Sequence, residues 1–511
     1  MTETLKHLLH PKFLHMTFFG FSAGVPYFLI FYTLSTWLDQ VGVERSIITY
    51  FSWAALGYSF KFLWAPLVDQ LPIPILTKKM GQRRSWLLFI QLVIVFAIFA
   101  MAMTDPATGN QALTQMALAV TLLGFSAATQ DIVIDAWRIE ASTEKDIAML
   151  SSVYIVGYRV GMVTSGAGAL YIAGFIGTSL DNYNYTAWQV SYLAMACCML
   201  VGIITTLKSK EPAKPKQLNY ELSDYIAVLM IFIMAITALI FTYQFTDVIF
   251  QSLQSTTAAV FNNQSLGSVI GTSSQLITAI LAGVVIGWLM AQTPLVNKDM
   301  IKAVYWTPIA DLFKQHRKHL WLMLGIVCTY KIADIVMGVT ANLFYQGKGF
   351  TLTEIASITK LFGLGMTITG GLLGGFMVVK YGVMRMMILG AILTAGTNLL
   401  FMWMAMLTDK SLEFLTFIIS ADNLAQGFAG AVFVGFLSLL VNKQFTAVQY
   451  AMFSSVISLF PKILGGYSGG MVDQMGYANF YLMTTLIGIP VVLMLIYALR
   501  RQVFDFESKA P

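Results

Sequence analysis

Long apolar runs separated by short polar breaks set the rhythm of this chain, and most of the runs are far too long for strands. A helix needs about 20 apolar residues to cross a bilayer. On that measure the pattern predicts fourteen crossings, near 13–37, 47–68, 85–103, 111–137, 148–178, 186–207, 222–245, 266–291, 319–346, 352–378, 383–408, 412–441, 447–472 and 478–499. Pro26, Pro66, Pro461 and Pro490 fall within or near these runs, as membrane helices tolerate. Two polar stretches interrupt the rhythm. One is basic (Lys208, Lys210, Lys214, Lys216). The other ends in Asp311-Leu-Phe-Lys-Gln-His-Arg-Lys-His319 and suits either an amphipathic surface helix or a solvated linker.

One short string occurs twice. Ala148-Met149-x-Ser151-Ser152-Val153 returns as Ala451-Met452-x-Ser454-Ser455-Val456, 303 residues later, and in register Arg159 meets Lys462 and Ser165-Gly166 meets Ser468-Gly469. Both copies lie in apolar runs, so the chain reads as two related bundles, with six helices before residue 208 and six after residue 318. The crossings near 222–245 and 266–291 are then an insertion between the halves. The expected organisation is a six-helix bundle over 1–207, a linker with two further helices over 208–318, a second bundle over 319–500 and a tail over 501–511.

Composition agrees with an all-α integral membrane protein. Of 511 residues 57% are hydrophobic and 11% charged, against about 25% charged in soluble domains. The first run is too long for a signal-peptide core and no small-residue cleavage site follows it, so it reads as a retained helix. With both termini cytoplasmic, only Arg45, Lys348 and Lys410 of the 31 Lys and Arg residues fall in loops on the outer side. That is a strong positive-inside bias, so the net charge of +6 reports topology and not nucleic-acid binding.

Charges inside the runs carry the candidate chemistry. An ionisable side chain at the bilayer centre costs about 2.5–3.5 kcal/mol on insertion scales, yet Lys61, Asp131, Asp135, Arg159, Lys331, Asp334, Lys360, Asp422 and Lys462 are all present. They must face partners or a wet cavity. Asp131 and Asp135 are four apart and share a helical face. Arg138 follows Asp135 at three residues, an arrangement that reads as structural, whereas Asp131 has no local cation and is the expected proton site. Static pairing of Asp131 with Arg159 or Lys61 is the competing reading. Lys331 and Asp334 can neutralise each other, and Lys360, Arg159 and Lys462 have no acid within four residues on their own helices. Such cations suit an anionic solute with carboxylates; interhelical pairing with Asp131 or Asp422 is the alternative.

Other motifs are weaker. Gly20-Phe-Ser22-Ala-Gly24 and Gly466-Tyr-Ser468-Gly-Gly470 match a hydrolase elbow in letters only, since both lie in expected membrane helices and not at a strand-to-helix turn, and no histidine follows Ser468. They read as small-residue faces for close helix packing, as do Gly157-x-x-x-Gly161 and Gly283-x-x-x-Gly287. No metal-ligand spacing occurs, the three cysteines sit in apolar runs, and no enzyme activity or cofactor is expected.

Asp69 followed by Gly81-Gln-Arg83-Arg84 resembles the major-facilitator loop motif G-x-x-x-D-x-x-G-x-R-[RK], opened by an insertion and lacking its first glycine, where Ala65 stands. Its echo in the second half, Gly375-Phe-Met-Val-Val379-Lys380-Tyr-Gly382, has valine in place of the acid. The implied role of Asp69, Gly81, Arg83 and Arg84 is a charge latch at the cytoplasmic gate. More specifically the chain resembles the AmpG-type muropeptide permeases of the major facilitator superfamily. The likeness rests on Phe60-Lys-Phe-Leu-Trp-Ala-Pro-Leu-Val-Asp69, Ser126-Ala-Ala-Thr-Gln-Asp-Ile-Val-Ile-Asp-Ala-Trp137, Gly157-Tyr-Arg159-x-Gly161-Met, Tyr330-Lys331-x-x-Asp334, Asp422-Asn-Leu424 and Asn442-Lys-Gln-Phe-Thr-Ala-Val-Gln-Tyr-Ala451.

The resemblance implies a six-plus-six facilitator fold in the bacterial inner membrane. It implies import of 1,6-anhydromuropeptides from periplasm to cytoplasm for cell-wall recycling, with the proton gradient as energy source and no other cofactor. Expected partners are the muropeptide, protons and membrane lipid, and the expected state is a monomer. Proton coupling falls to Asp131 and Asp135. Substrate contacts fall to Lys61, Gln130, Arg159, Tyr330, Lys331, Asp334, Lys360, Asp422 and Lys462. The competing readings are a carrier of another bulky anion, such as an acyl-CoA, or a membrane sensor that binds without transport.

Overall fold

The computed structural model describes residues 10–43, 48, 51, 56–143, 146–178, 182–213, 221–261, 264–294, 297–465 and 468–504; within these, some side chains, those of Lys360 and Lys462 included, lie outside the described set. The described chain is helical throughout. In order run α1 (Pro11–Gln40), the short α2 (Leu56–Phe60) and α3 (Ala65–Gln70), α4 (Gln82–Ala102), α5 (Asn110–Glu140), α6 (Ile147–Ile176) and α7 (Tyr185–Lys208). Between the repeat copies stand α8 (Leu222–Phe245), α9 (Asp247–Phe261), α10 (Gln264–Ala291) and α11 (Thr307–Gln315). The second half comprises α12 (Leu320–Thr329), α13 (Ile332–Gly347), α14 (Gly363–Tyr381), α15 (Val383–Met406), α16 (Leu412–Leu440), α17 (Thr446–Gly465) and α18 (Ser468–Arg500).

Twelve helices among the described residues are long and apolar enough to cross a membrane. Two of the fourteen expected crossings are not among them. Part of the run 47–68 lies outside the described residues; the rest tightens to a 3₁₀ turn at Lys61–Leu63 and breaks at Trp64, ahead of Pro66 in α3. The run 447–472 gives the 20-residue α17, and residues 466–467 lie outside the described set. Both runs carry an intramembrane lysine and a proline, which break the apolar pattern.

Glycine lets the helix backbones meet within each half. A Cβ on Gly157 would sit 1.8 Å from the Thr17 carbonyl oxygen, and one on Gly20 2.2 Å from that of Tyr154, so α1 and α6 touch along the small-residue faces read from sequence. In the second half α14 and α16 meet the same way, with Gly370 against Leu424 and Gly427 against Thr367. The loops match as well. Gly81 (φ +88°) opens α4 and Gly382 (φ +84°) opens α15, each in a left-handed conformation that favours glycine.

The halves meet at the end of the bundle where α4, α6, α15 and α17 begin. There α6 packs on α14 and α16, and α17 packs on α5, α2 and α3. Arg138 Nη2 donates to Ser438 Oγ (3.3 Å), and Lys443 Nζ donates to the Ser142 carbonyl (3.0 Å). Most Lys and Arg residues gather at this end, here called the basic face. Beneath it the stretch from Lys298 to Gln315 is a helical strap and not a solvated linker. Met300 and Val304 are buried against the first half, while Asp311 accepts from Asn442 Nδ2 (2.9 Å) and Gln449 Nε2 (3.1 Å) of the second.

The segment 222–291 is an antiparallel hairpin. Gly283 lies against Ala235, and Gln275 Nε2 donates to the Tyr243 carbonyl at 2.8 Å. Gly267 and Gly271 pack on Gln254 of α9, a helix the apolar pattern missed because Gln251, Ser252, Gln254, Ser255, Thr256 and Thr257 make it polar. Near the basic face Val228 and Phe232 join the core of the first half. Further along, the hairpin and the first half are separated by a cavity of about 880 Å³, lined by Phe60, Leu63, Trp64, Phe125, Leu239 and Leu276 among others. No charged residue lines it among the described residues, and the intramembrane charges described below lie elsewhere.

Candidate functional site

The intramembrane charges of the first half converge between α2, α5 and α6. Asp135 has two cations: Arg138 Nη1 at 3.0 Å, one turn along its own helix, and Lys61 Nζ at 3.4 Å from the 3₁₀ turn after α2. The Arg138 guanidinium is also held over the rings of Tyr154 (5.5 Å) and Tyr450 (5.0 Å). This is a charge-paired, largely buried network, and it draws Lys61 to Asp135 and not to Asp131.

Asp131, one turn earlier, has no cation within ion-pair distance among the described residues. Its one hydrogen bond there comes from the Tyr154 hydroxyl, at 3.4 Å. Arg159 likewise has no carboxylate partner there, and its charge faces Tyr27 and Tyr158. Both side chains are half-buried, at depths where a lipid-facing charge would be prohibitive. Around them four tyrosines form an aromatic cradle. Tyr27 meets Tyr58 at 6.0 Å and Tyr158 at 6.1 Å between centroids, and Tyr158 meets Tyr154 at 5.9 Å. The buried Tyr58 hydroxyl has no hydrogen-bond partner among the described residues. A carboxylate and a guanidinium without ion-pair partners among the described residues, set among half-buried rings, form a polar cluster that can take an anionic, sugar-like solute.

Sequence reasoning missed these tyrosines because they come from three different helices; only Tyr154 and Tyr158, four apart and beside Arg159, carried a local signal. Two residues named from sequence as substrate contacts are packed away from this cluster. Gln130 is fully buried, its carbonyl accepting from Ser22 Oγ (3.4 Å), because one step along a helix turns the side chain by about 100° towards α1. Tyr330 is a core residue: its ring stacks on Phe433 (4.5 Å) and its hydroxyl donates to the Met387 carbonyl (3.2 Å).

In the second half Lys331 and Asp334 pair at 3.0 Å. Asp422 is buried on α16, within hydrogen-bond distance of Thr397 and Gln426. The side chains of Lys360 and Lys462 lie outside the described residues.

The loop motif is assembled at the basic face. Arg83 Nη2 lies 2.5 Å from Asp69 Oδ1 and 2.5 Å from Glu140 Oε1, and it donates to Thr446 Oγ1 (3.2 Å) at the start of α17. Glu140 also accepts from Thr446 Oγ1, so the network crosses between the halves. Arg84 caps the end of α7 through the carbonyls of Thr206 (3.0 Å) and Leu207 (2.7 Å). Glu211, in the linker, accepts from the backbone N–H groups of Arg83 and Arg84 at the start of α4, and burial pushes its carboxyl up from the ordinary range. Gly81 leaves room for it: a Cβ there would lie 2.3 Å from Glu211 Cγ. Glu140, Glu211 and Thr446 were not singled out from sequence, because their roles depend on tertiary placement.

Residues 16–309 match the model of the Major Facilitator Superfamily. A Rickettsia felis protein called AmpG 4 is 30% identical over 480 residues, 94% of either chain. The chain belongs to the AmpG group of that superfamily. The anhydromuropeptide permease of Escherichia coli K12 is 27% identical over 506 residues, covering 99% of this chain and 83% of that one. Solved facilitator structures share the fold at low identity. They include the fucose transporter FucP in an outward conformation (TM-score 0.60, 11% identity, 96% and 98% covered). The proton:xylose symporter XylE bound to 6-bromo-6-deoxy-D-glucose gives TM-score 0.56 at 12% identity, with 95% and 94% covered. The chain is therefore a multi-pass membrane transporter and not an enzyme, and a small-molecule solute is its natural ligand.

Proposed function

We propose that this facilitator imports anhydromuropeptides across the bacterial inner membrane by proton symport, the basic face being cytoplasmic together with both termini. The observation that carries the reading is the cluster around Asp131 and Arg159. It offers tyrosine faces for the sugar rings, a free guanidinium for a peptide carboxylate, and a carboxylate with no cation within ion-pair distance among the described residues. The likeness to a chain named anhydromuropeptide permease supports this solute over an acyl-CoA.

The latch at Arg83, with the other contacts at the same end, corresponds to an outward-facing state. Protonation of Asp131 and entry of solute would favour its release and rocking of the halves. The membrane count in this reading is fourteen, with the broken runs 47–68 and 447–472 as crossings lining the path. Inward proton movement supplies about 2.3 kcal/mol per 100 mV per charge, enough for tens-fold accumulation at ordinary potentials.

The test is uptake of labelled anhydromuropeptide into proteoliposomes with and without an imposed proton gradient. Native protein should accumulate the solute only with the gradient, and Asp131→Asn should retain exchange of solute for solute while losing accumulation. Gradient-independent uptake by the native protein would refute the coupling, and an absence of uptake altogether would refute the substrate.

A further inference from the structure

We propose that Asp422 is a second proton-binding site, so that each half of the transporter holds one exchangeable proton. The inference rests on the proton-symport reading only for its consequence, since the protonation of Asp422 stands on its own geometry.

Asp422 lies on α16 and is 5% exposed. Its Oδ2 accepts from Gln426 Nε2 at 2.8 Å, and its Oδ1 is 3.1 Å from Thr397 Oγ1 on α15. The same Thr397 oxygen is 2.9 Å from the Thr394 carbonyl. A hydroxyl has one proton to donate, and a backbone carbonyl can only accept. With the threonine proton given to the shorter contact, Oγ1 and Oδ1 face each other without a hydrogen unless Asp422 supplies it. Placing a proton on Oδ1 satisfies all three oxygens at once.

The surrounding charges point the same way. Among the described residues, the groups facing Asp422 are Asp334 and Lys331, and the phenols of Tyr345 and Tyr481. Lys331 is spent on Asp334, 3.0 Å away, so no cation is left within ion-pair distance of Asp422 among the described residues. An ionised carboxylate buried there would be uncompensated. The site nevertheless has what a deprotonated state needs. The buried Tyr481 hydroxyl has no hydrogen-bond partner among the described residues and can turn its proton towards the carboxylate. Lys331 stands where α12 and α13 break, so a hinge movement there can bring its ammonium from Asp334 to Asp422 and expel the proton. The step is simple in balance: the O–H bond of the acid breaks, the proton leaves to water, and Lys331 neutralises the carboxylate left behind.

Infrared difference spectroscopy of the full-length protein in lipid nanodiscs tests this. A protonated-acid carbonyl band should be present at neutral pH, lose the Asp422 component in Asp422→Asn and keep that component in Asp131→Asn. Thermal unfolding should show Asp422→Asn as stable as the native chain, because an amide replaces a neutral acid. A native spectrum without the band, or an Asp422→Asn spectrum that keeps it unchanged, would overturn the proposal. Reversal potentials in proteoliposomes then read the consequence, with the proton-to-solute ratio falling by one in Asp422→Asn. A native protein indifferent to the gradient would sink the symport reading while leaving the infrared result to decide Asp422.

Discussion

Arg83 and Glu140, on neighbouring helices, hold each other through a contact of 2.5 Å with both side chains about 1% exposed, and Thr446 of the other half is bonded to both. Removing one member of a buried ion pair leaves an uncompensated charge, at a cost of about 3–5 kcal/mol. Asp69 remains to hold Arg83, so Glu140→Ala should fall at the lower end of that range. The variant should also open the basic face: a cysteine placed at Ser438 should label faster from that side than in the native background. Unchanged labelling would mean that the network does not close the bundle.

The contact of α1 with α6 predicts a sharp contrast between glycines. Gly157→Ala must push apart two backbones already in contact, and overpacking of this kind costs about 1–3 kcal/mol. Gly174, on the same helix, has nothing within 4 Å of its would-be Cβ. There alanine should be neutral or stabilising by up to about 1 kcal/mol, the usual helix preference. Thermal unfolding in detergent distinguishes them, and equal shifts would remove the argument that this face sets the packing.

The tyrosine cradle makes a prediction about affinity. Tyr158→Ala should weaken solute binding about 2–10-fold, the value of one aromatic contact at about 0.5–1.5 kcal/mol, with folding retained. Tyr58→Phe removes a hydroxyl that has no partner, so the empty protein should be no less stable. Weaker solute binding by Tyr58→Phe would mean that the hydroxyl is reserved for the ligand. Isothermal titration with anhydromuropeptide reads both, and unchanged affinity in both would move the sugar site elsewhere.

On the face opposite the latch, Lys410 and the backbone N–H of Thr351 hold the Glu354 carboxyl down to about 2. Because this value lies below the ordinary 4.5, the pair stabilises the fold above pH 4.5 and loses its effect as pH falls through about 2. The melting-temperature difference between native protein and Lys410→Met should accordingly be constant at neutral pH and shrink below pH 4. The pair is solvent-exposed and screened, so the difference should also shrink in high salt. A difference that grows on acidification would contradict the assignment.

Sequence alone exposed those parts of the site that depend on helical spacing. The four-residue spacing of Gly20 and Gly24, and of Gly157 and Gly161, marked the contact between α1 and α6. The three-residue step from Asp135 to Arg138 marked their pair, and the isolation of Asp131 survived because the nearest lysine chose Asp135 instead. What depends on rotation about a helix, or on neighbours far along the chain, was not legible. Gln130 and Tyr330 sit one residue from charged positions yet point into packing. The cradle draws Tyr27, Tyr58 and Tyr158 from three helices that no spacing rule connects. At α2 and α17 the apolar pattern and the described helices part company, because lysine and proline interrupt the runs counted there as crossings.

The hairpin inserted between the halves has a use outside transport. Its first arm contains helices of 24 and 15 residues, α8 and α9, which at 1.5 Å per residue extend nearly 60 Å. The hydrocarbon layer is only about 30 Å thick. Seated at the basic face through Val228 and Phe232, an arm of that combined length set across the bilayer would reach past the opposite surface. Facilitators of this size are hard to orient in electron micrographs because little of them emerges from the micelle and their halves look alike. A stiff spike on one flank breaks that resemblance and gives each particle an unambiguous top, side and handedness.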